Sequence, residues 1–320
     1  MNGWIIFDKP VGLGSTQAVG AVKRVCREAG LGKVKVGHGG TLDPLASGVL
    51  PIALGEATKL CGRMLDASKI YDFTIRFGTE TAGLDAEGAV VATSDVRPTL
   101  AEVEAVLPRF TGDIEQVPPA YSAIKIDGQR AYDRARAGEE VEMKARSVAI
   151  YSLRHPGLDP GSRSATMKGG TPDQVRGDEV REGDRLESLT LTAHVSKGTY
   201  IRSLARDIAR AAGTVGHVTM LRRTKAGPFD LSQAISLDKL NAFGQGAAQS
   251  DIILPLEAGL VDIPALNLSP EAAGAVRQGR VWTGESTHDG LYWGRDSEMR
   301  PVALIEALAG TLKVVRGFNL

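Results

Sequence analysis

At 320 residues, with 42% hydrophobic content and a formal net charge of zero, the chain can bury a full core and is long enough for two domains. No apolar run reaches the ~18 residues of a membrane span, and the start is strand-like without a secretory-signal pattern, so the expected setting is the cytoplasm. Cys26 and Cys61 sit in no metal spacing and read as reduced structural thiols, the five histidines are scattered, and zero net charge removes any simple polycation argument for nucleic acid.

Gly3-Trp4-Ile5-Ile6-Phe7 reads as the first strand. Ser15 or Thr16 can cap a helix whose Ala18, Val19, Val22, Val25 and Cys26 share one face, and Gly30 and Gly32 end it. The stretch Gly37-His38-Gly39-Gly40-Thr41-Leu42-Asp43-Pro44-Leu45-Ala46-Ser47-Gly48-Val49-Leu50-Pro51 follows. With four glycines and two prolines in fifteen residues it reads as a shaped loop, neither helix nor central strand. Pro44 holds Asp43 away from helical geometry, and His38 between glycines has no core to join.

Tyr71 to Phe77 alternates apolar and polar side chains, a strand with Tyr71 on its apolar side. Thr99-x-x-Glu102 is a capping box that opens a helix carrying Leu100, Val103 and Leu107, and Pro118-Pro119 closes that unit in an extended loop. From about 155 to 187 large apolar residues almost vanish, so this stretch reads as a polar surface insertion that builds no core. Leu189, Leu191, Ala193 and Val195 then alternate with polar residues in a strand leading to Gly198. A helix begins near Tyr200, burying Ile201, Leu204, Ala205 and Ile208, while Arg202, Arg206 and Arg210 recur on an adjacent face and Gly213 stops it. Residues 197–230 also hold Lys197, Arg222, Arg223 and Lys225 against only Asp207 and Asp230, a basic face suited to phosphates, whereas 80–115 is mostly acidic. A Gly- and Ala-rich linker, 241–250, leads to a last module with strand signals at Val302–Ile305 and Leu312–Val315.

The glycine-rich stretch contains Gly-His-x-Gly-x-Leu-Asp-Pro-Leu-Ala-x-Gly-x-Leu at every fixed position, and so resembles the first motif of the bacterial tRNA pseudouridine-55 synthases, the TruB family. Further matches follow in order: Asp8-Lys9-Pro10-x-Gly12, Lys69-Ile70-Tyr71, Pro118-Pro119-x-Tyr121-Ser122-Ala123, Lys197-Gly198-Thr199-Tyr200-Ile201-Arg202-Ser203 and Leu221-Arg222-Arg223. Gly14-Ser15 departs from the family, where many relatives carry a Thr or Ser pair after Gly12.

The resemblance implies an α+β fold. A pseudouridine-synthase-type catalytic domain on a mixed sheet would span 1–245, with the polar insertion at about 155–187, and a small β-rich, PUA-like RNA-binding domain would span 250–320. It implies isomerisation of uridine in the T arm of tRNA, with no cofactor and no protein partner. Asp43 would be the catalytic carboxylate, Arg202 its cationic partner, and Tyr71 the stack for the flipped uracil and an acceptor for its C5 proton. Tyr200 and Leu221 would line the pocket, His38 would enter the gap left in the T loop, and Lys9 would support the motif loop and the active site, a simple turn lysine being the rival reading. Independently of the resemblance, Arg206 and Arg223 of the basic face are the expected phosphate contacts. A tRNA-folding chaperone using the same basic face is the nearest rival, and a hydrolase or phosphotransferase with an Asp nucleophile a more distant one.

Overall fold

The computed structural model describes residues 1–156, 183–246, 248, 252–284 and 287–320. The chain divides into two compact units, one built from Met1–Ala67 with Thr224–Leu320 and the other from Ser68–Arg223. That grouping differs from a boundary near 250, because the last segment gathers with the first 67 residues.

The first unit starts with β1 (Gly3–Lys9), α1 (Ser15–Glu28), β2 (Val36–His38), β3 (Ser47–Leu54) and α2 (Cys61–Asp66). β1 lies antiparallel to β3, Ile6 opposite Pro51, and β2 pairs β3 with His38 opposite Ile52. Trp4, Ile5, Ile6 and Phe7 are all at most 1% exposed, so both faces of β1 are covered. Each such side chain contributes at most about 1.5–3 kcal/mol by leaving water. Trp4 also donates its Nε1–H to the Leu256 carbonyl at 3.0 Å.

Two expectations are corrected in this stretch. The second half of the glycine-rich segment is a buried strand, not loop: the Pro51 carbonyl accepts from Gly39 N just past the last β2 pair, so the missing N–H of Pro51 falls where that ladder ends. Ser15 does not cap α1 either; Gly14 is the N-cap, its N–H donating to Gln17 Oε1 at 2.7 Å.

The second unit holds β4 (Lys69–Phe77), β5 (Thr79–Thr81), β6 (Val90–Thr93), α3 (Leu100–Val106), β7 (Gly112–Gln116), β8 (Lys125–Ile126), β9 (Gln129–Arg130), α4 (Ala131–Arg136), β10 (Arg146–Arg154), β11 (Ser188–Val195), α5 (Ile201–Ala211) and β12 (Gly216–Ala226), whose last residues return to the first unit. The sheet runs β12-β4-β11-β10-β7. Phe73, Ile75 and Phe77 of β4 and Leu189, Leu191 and Ala193 of β11 pack there with Ile201, Leu204 and Ile208 of α5 in one core. The capping box of α3 is present as expected, Thr99 N donating to Glu102 Oε2 at 2.7 Å and Glu102 N to Thr99 Oγ1 at 3.2 Å. The end of the polar stretch is corrected: Leu186 is 5% exposed and joins the core, its N–H donating to Pro98 O, while the exposed Arg185 binds Glu102 of the capping box. Residues 157–182 of that stretch lie outside the described residues.

The remainder of the first unit comprises β13 (Phe229–Asp230), α6 (Leu237–Gly244), β14 (Ala265–Asn267), α7 (Pro270–Arg277), β15 (Trp282–Thr283), β16 (Gly290–Arg295), β17 (Pro301–Leu308) and β18 (Thr311–Gly317). α6 takes the start of the expected linker, with Phe243 1% exposed and Gly244 seated near Glu28 and Val25 of α1. The small β-rich module is as expected, a sheet in the order β14-β16-β17-β18-β15 whose β14–β16 pair is parallel and whose other pairs are antiparallel.

Asp296 organises the turn between β16 and β17. Burial pushes its pKa up, but the N–H groups of Arg300 and Glu298 and the guanidinium groups of Arg277 and Arg300 outweigh this and hold it below the usual carboxylate value. A depressed folded-state pKa contributes stability that is present above the unfolded value of ~3.9 and is lost as pH falls through the folded one. The urea midpoint of the protein is therefore expected to fall between about pH 5 and about pH 3, and to fall less in Asp296→Asn. Equal slopes in both proteins would remove this role.

Candidate active site

The loop between β2 and β3 carries Asp43, half-buried. Its neighbours on both sides are fixed through their main chains. Before it, Leu42 N donates to Ser15 Oγ at 2.8 Å and Ser15 Oγ donates to Leu42 O at 2.9 Å. After it, the Pro44 carbonyl accepts from Gly12 N at 2.8 Å and from Lys9 Nζ at 3.2 Å. Asp43 O itself accepts from Ala46 N at 3.0 Å.

Lys9 is fully buried, and its ammonium also donates to the carbonyls of Pro10 and Leu13, at 2.9 and 2.7 Å. A buried cation is costly unless its protons are accepted, and here the acceptors belong to the turn after β1 and to the Asp43 loop. Gly39 is a site of close approach: a Cβ there would lie 2.4 Å from Met64 Cβ. His38, half-buried one position earlier, has Nδ1 3.4 Å from Gly40 N.

Other expected residues gather in the second unit. Tyr71 sits on the same face of β4 as Phe73, Ile75 and Phe77, at the end of that apolar row, and is half-buried where Phe73 is fully buried. Its partner across the ladder is Ala193. Leu221 of β12 packs against the same core. Tyr200 is the N-cap of α5, held by Gln116, which accepts from its N–H at 2.8 Å and donates to its carbonyl at 3.1 Å.

Arg202, 6% exposed, lies in the first turn of α5, where a cation opposes the helix dipole. Acceptors compensate. Nη1 donates to Gly83 O at 2.7 Å and to Asp85 Oδ2 at 3.1 Å, and Nη2 to Tyr121 O at 2.9 Å. Gly83 and Asp85 flank Leu84, a buried non-glycine residue at φ +58°, a conformation that costs on the order of 1–3 kcal/mol. It is held there because Leu84 N donates to Thr81 O and Leu84 O accepts from Val218 N.

The basic row is less available than expected. Arg206 donates to Asp207 and to Val117 O, and Arg210 makes a two-pronged contact with Glu80. Arg223 is 1% exposed, which corrects the expectation that it meets phosphate from a surface: at this position of β12 the side chain points inward. Ser15, Asp85 and Gln116 were missed from sequence. A hydroxyl next to the departure at Gly14 was the one signal for Ser15, and the acidic run at 80–115 the one signal for Asp85.

The description "TruB family pseudouridylate synthase (N terminal domain)" matches residues 27–168, and "tRNA pseudouridylate synthase B C-terminal domain" matches 202–261. Proteins named tRNA pseudouridine synthase B are similar along the whole chain. That of Novosphingobium aromaticivorans is 65% identical over 320 residues, covering 100% of this chain and 98% of that one. That of Zymomonas mobilis is 54% identical over 319 residues, covering 100% and 96%. The chain belongs to the TruB family. A solved H/ACA ribonucleoprotein bound to a substrate RNA containing 2′-deoxyuridine has the same fold, with a TM-score of 0.68 at 22% identity over 99% of this chain and 85% of that one. In this TruB-family chain the whole five-stranded C-terminal sheet, Ala265 to Gly317, lies beyond residue 261, outside both matched segments.

Proposed function

We propose that this chain isomerises uridine to pseudouridine in tRNA, at position 55 in the T loop, working in the cytoplasm. The observation that carries this is Asp43, a half-buried carboxylate whose flanking residues are both pinned through their main chains. Isomerisation breaks the bond from sugar C1′ to N1, turns the base, joins C1′ to C5, and moves a proton from C5 to solvent while N1 gains one. Substrate and product have the same atoms, so neither oxidant nor phosphate donor enters the balance. A rigidly held carboxylate supplies the nucleophile or base such a reaction needs.

In this proposal Tyr71, on the edge of the core beside Ala193, stacks on the uracil taken out of the RNA, offsetting part of the few kcal/mol lost in unstacking. Tyr200 and Leu221 line the base pocket, His38 enters the T loop, and Arg202 is the cation assigned to the Asp43 carboxylate. Of the phosphate contacts first expected, Arg206 and the more exposed Arg210 stay in the proposal and the buried Arg223 leaves it. The small C-terminal sheet is assigned to holding RNA. Incubating the purified protein with an unmodified tRNA transcript should give pseudouridine at the T-loop uridine on site-resolved mapping. A transcript left unmodified, or modified only elsewhere, would count against it.

A further inference from the structure

We propose that Ser15 is a positioning residue for the reaction of Asp43, which rests on the functional reading above. The residue is 5% exposed, and its hydroxyl engages Leu42 in both directions, accepting from the N–H at 2.8 Å and donating to the carbonyl at 2.9 Å. The Leu42 carbonyl is part of the peptide unit that joins Leu42 to Asp43. Fixing that plane fixes the direction from which the chain enters Asp43.

Three further observations make this a positioning device rather than a spare hydrogen bond. Ser15 is the first residue of the fourteen-residue α1, so its Cα stands on a rigid element instead of a loop. The helix does not need the hydroxyl as a cap, because Gly14 takes that place with Gln17. On the far side of Asp43, Gly12 and Lys9 fix the Pro44 carbonyl, and the Pro44 ring restricts Asp43 to extended backbone. Entry and exit of the carboxylate-bearing residue are thus held by different parts of the chain, the entry through Ser15.

Removing the hydroxyl leaves the Leu42 N–H and carbonyl seeking other partners, and the peptide plane turns to find them. A shift of ~1 Å in a reacting group costs about 100-fold in rate. For Ser15→Ala we expect kcat on a tRNA transcript to fall by about 10- to 100-fold, with KM and the tRNA Kd within about threefold of the wild type. Ser15→Thr, which keeps the hydroxyl, should recover most of the rate. Exchange of the Leu42 amide with solvent should be faster in Ser15→Ala, while the Ala53 amide in β3 keeps its rate. Wild-type kcat in Ser15→Ala, a loss carried by KM alone, unchanged exchange at Leu42, or equal loss in the alanine and threonine variants would each overturn the proposal. Failure of the wild-type protein itself to make pseudouridine would instead overturn the functional reading, a result read before any variant is made.

Discussion

Asp43→Asn is expected to reduce pseudouridine formation by about 10⁴-fold or more while tRNA binding stays within about threefold of the wild type. Asparagine has nearly the same shape, and the loop around Asp43 is held through the main chains of Leu42, Asp43 and Pro44, contacts that the substitution leaves in place. The loop should therefore keep its form, and only the group that reacts is replaced. Single-turnover modification of a transcript, read beside a filter-binding titration, separates the two effects. If binding disappears along with turnover, Asp43 is a binding group and the proposed chemistry fails. If tRNA folding is assisted equally well by both proteins, that assistance is independent of the isomerisation.

Arg202→Lys is expected to lower turnover by about 100-fold and to destabilise the protein by about 1–3 kcal/mol. The guanidinium reaches Gly83 O, Asp85 and Tyr121 O with two of its nitrogens, a spread that a single ammonium cannot reproduce. At least one acceptor among these largely buried groups is left unmet, and the Asp85 carboxylate, whose side chain is 19% exposed, keeps a less well-placed partner. Leu84, held at positive φ between two of the acceptors, is the place where relaxation should show first. A thermal melt and a turnover assay on the same preparation test both parts, and a variant with wild-type rate and wild-type melting would dismiss Arg202 as a catalytic contributor.

Much of this was legible in the sequence because it is local. The alternation in β4 and β11, the Thr99–Glu102 box and the stripe of α5 are all written within a few residues, and each forms where the pattern puts it. The same locality explains the misses. Pro51 and Gly48 look like loop residues until β1 and β2 are seen beside them. Asp85 lies 117 residues from Arg202, and Gln116 lies 84 from Tyr200, so no spacing rule connects them. Arg223 was counted with a surface row because its charge is visible in sequence and its burial is not. Ser15 was assigned the commonest task of a serine before a helix, and its actual partner lies 27 residues away.

The first unit is assembled from the two ends of the chain, and that bears on the order of events during synthesis. β1 is bonded at Trp4 to Leu254 and at Asp8 to Ile235, and Trp4 packs beside Gly259, where a Cβ would touch its ring at 2.8 Å. A ribosome that has released residue 70 has delivered β1 but not these partners, and almost two hundred more residues must emerge before Trp4 can be covered. Ser68–Arg223, by contrast, is continuous and can close on itself in the interval. The apolar Trp4-Ile5-Ile6-Phe7 run is therefore the stretch left longest without its full cover on a nascent chain, the kind of segment that chaperones bind and that invites strand-to-strand aggregation. Pulse-labelled hydrogen exchange during refolding should accordingly protect β4 and β11 before the Trp4 and Asp8 amides, and simultaneous protection of all of them would show that the two ends meet early.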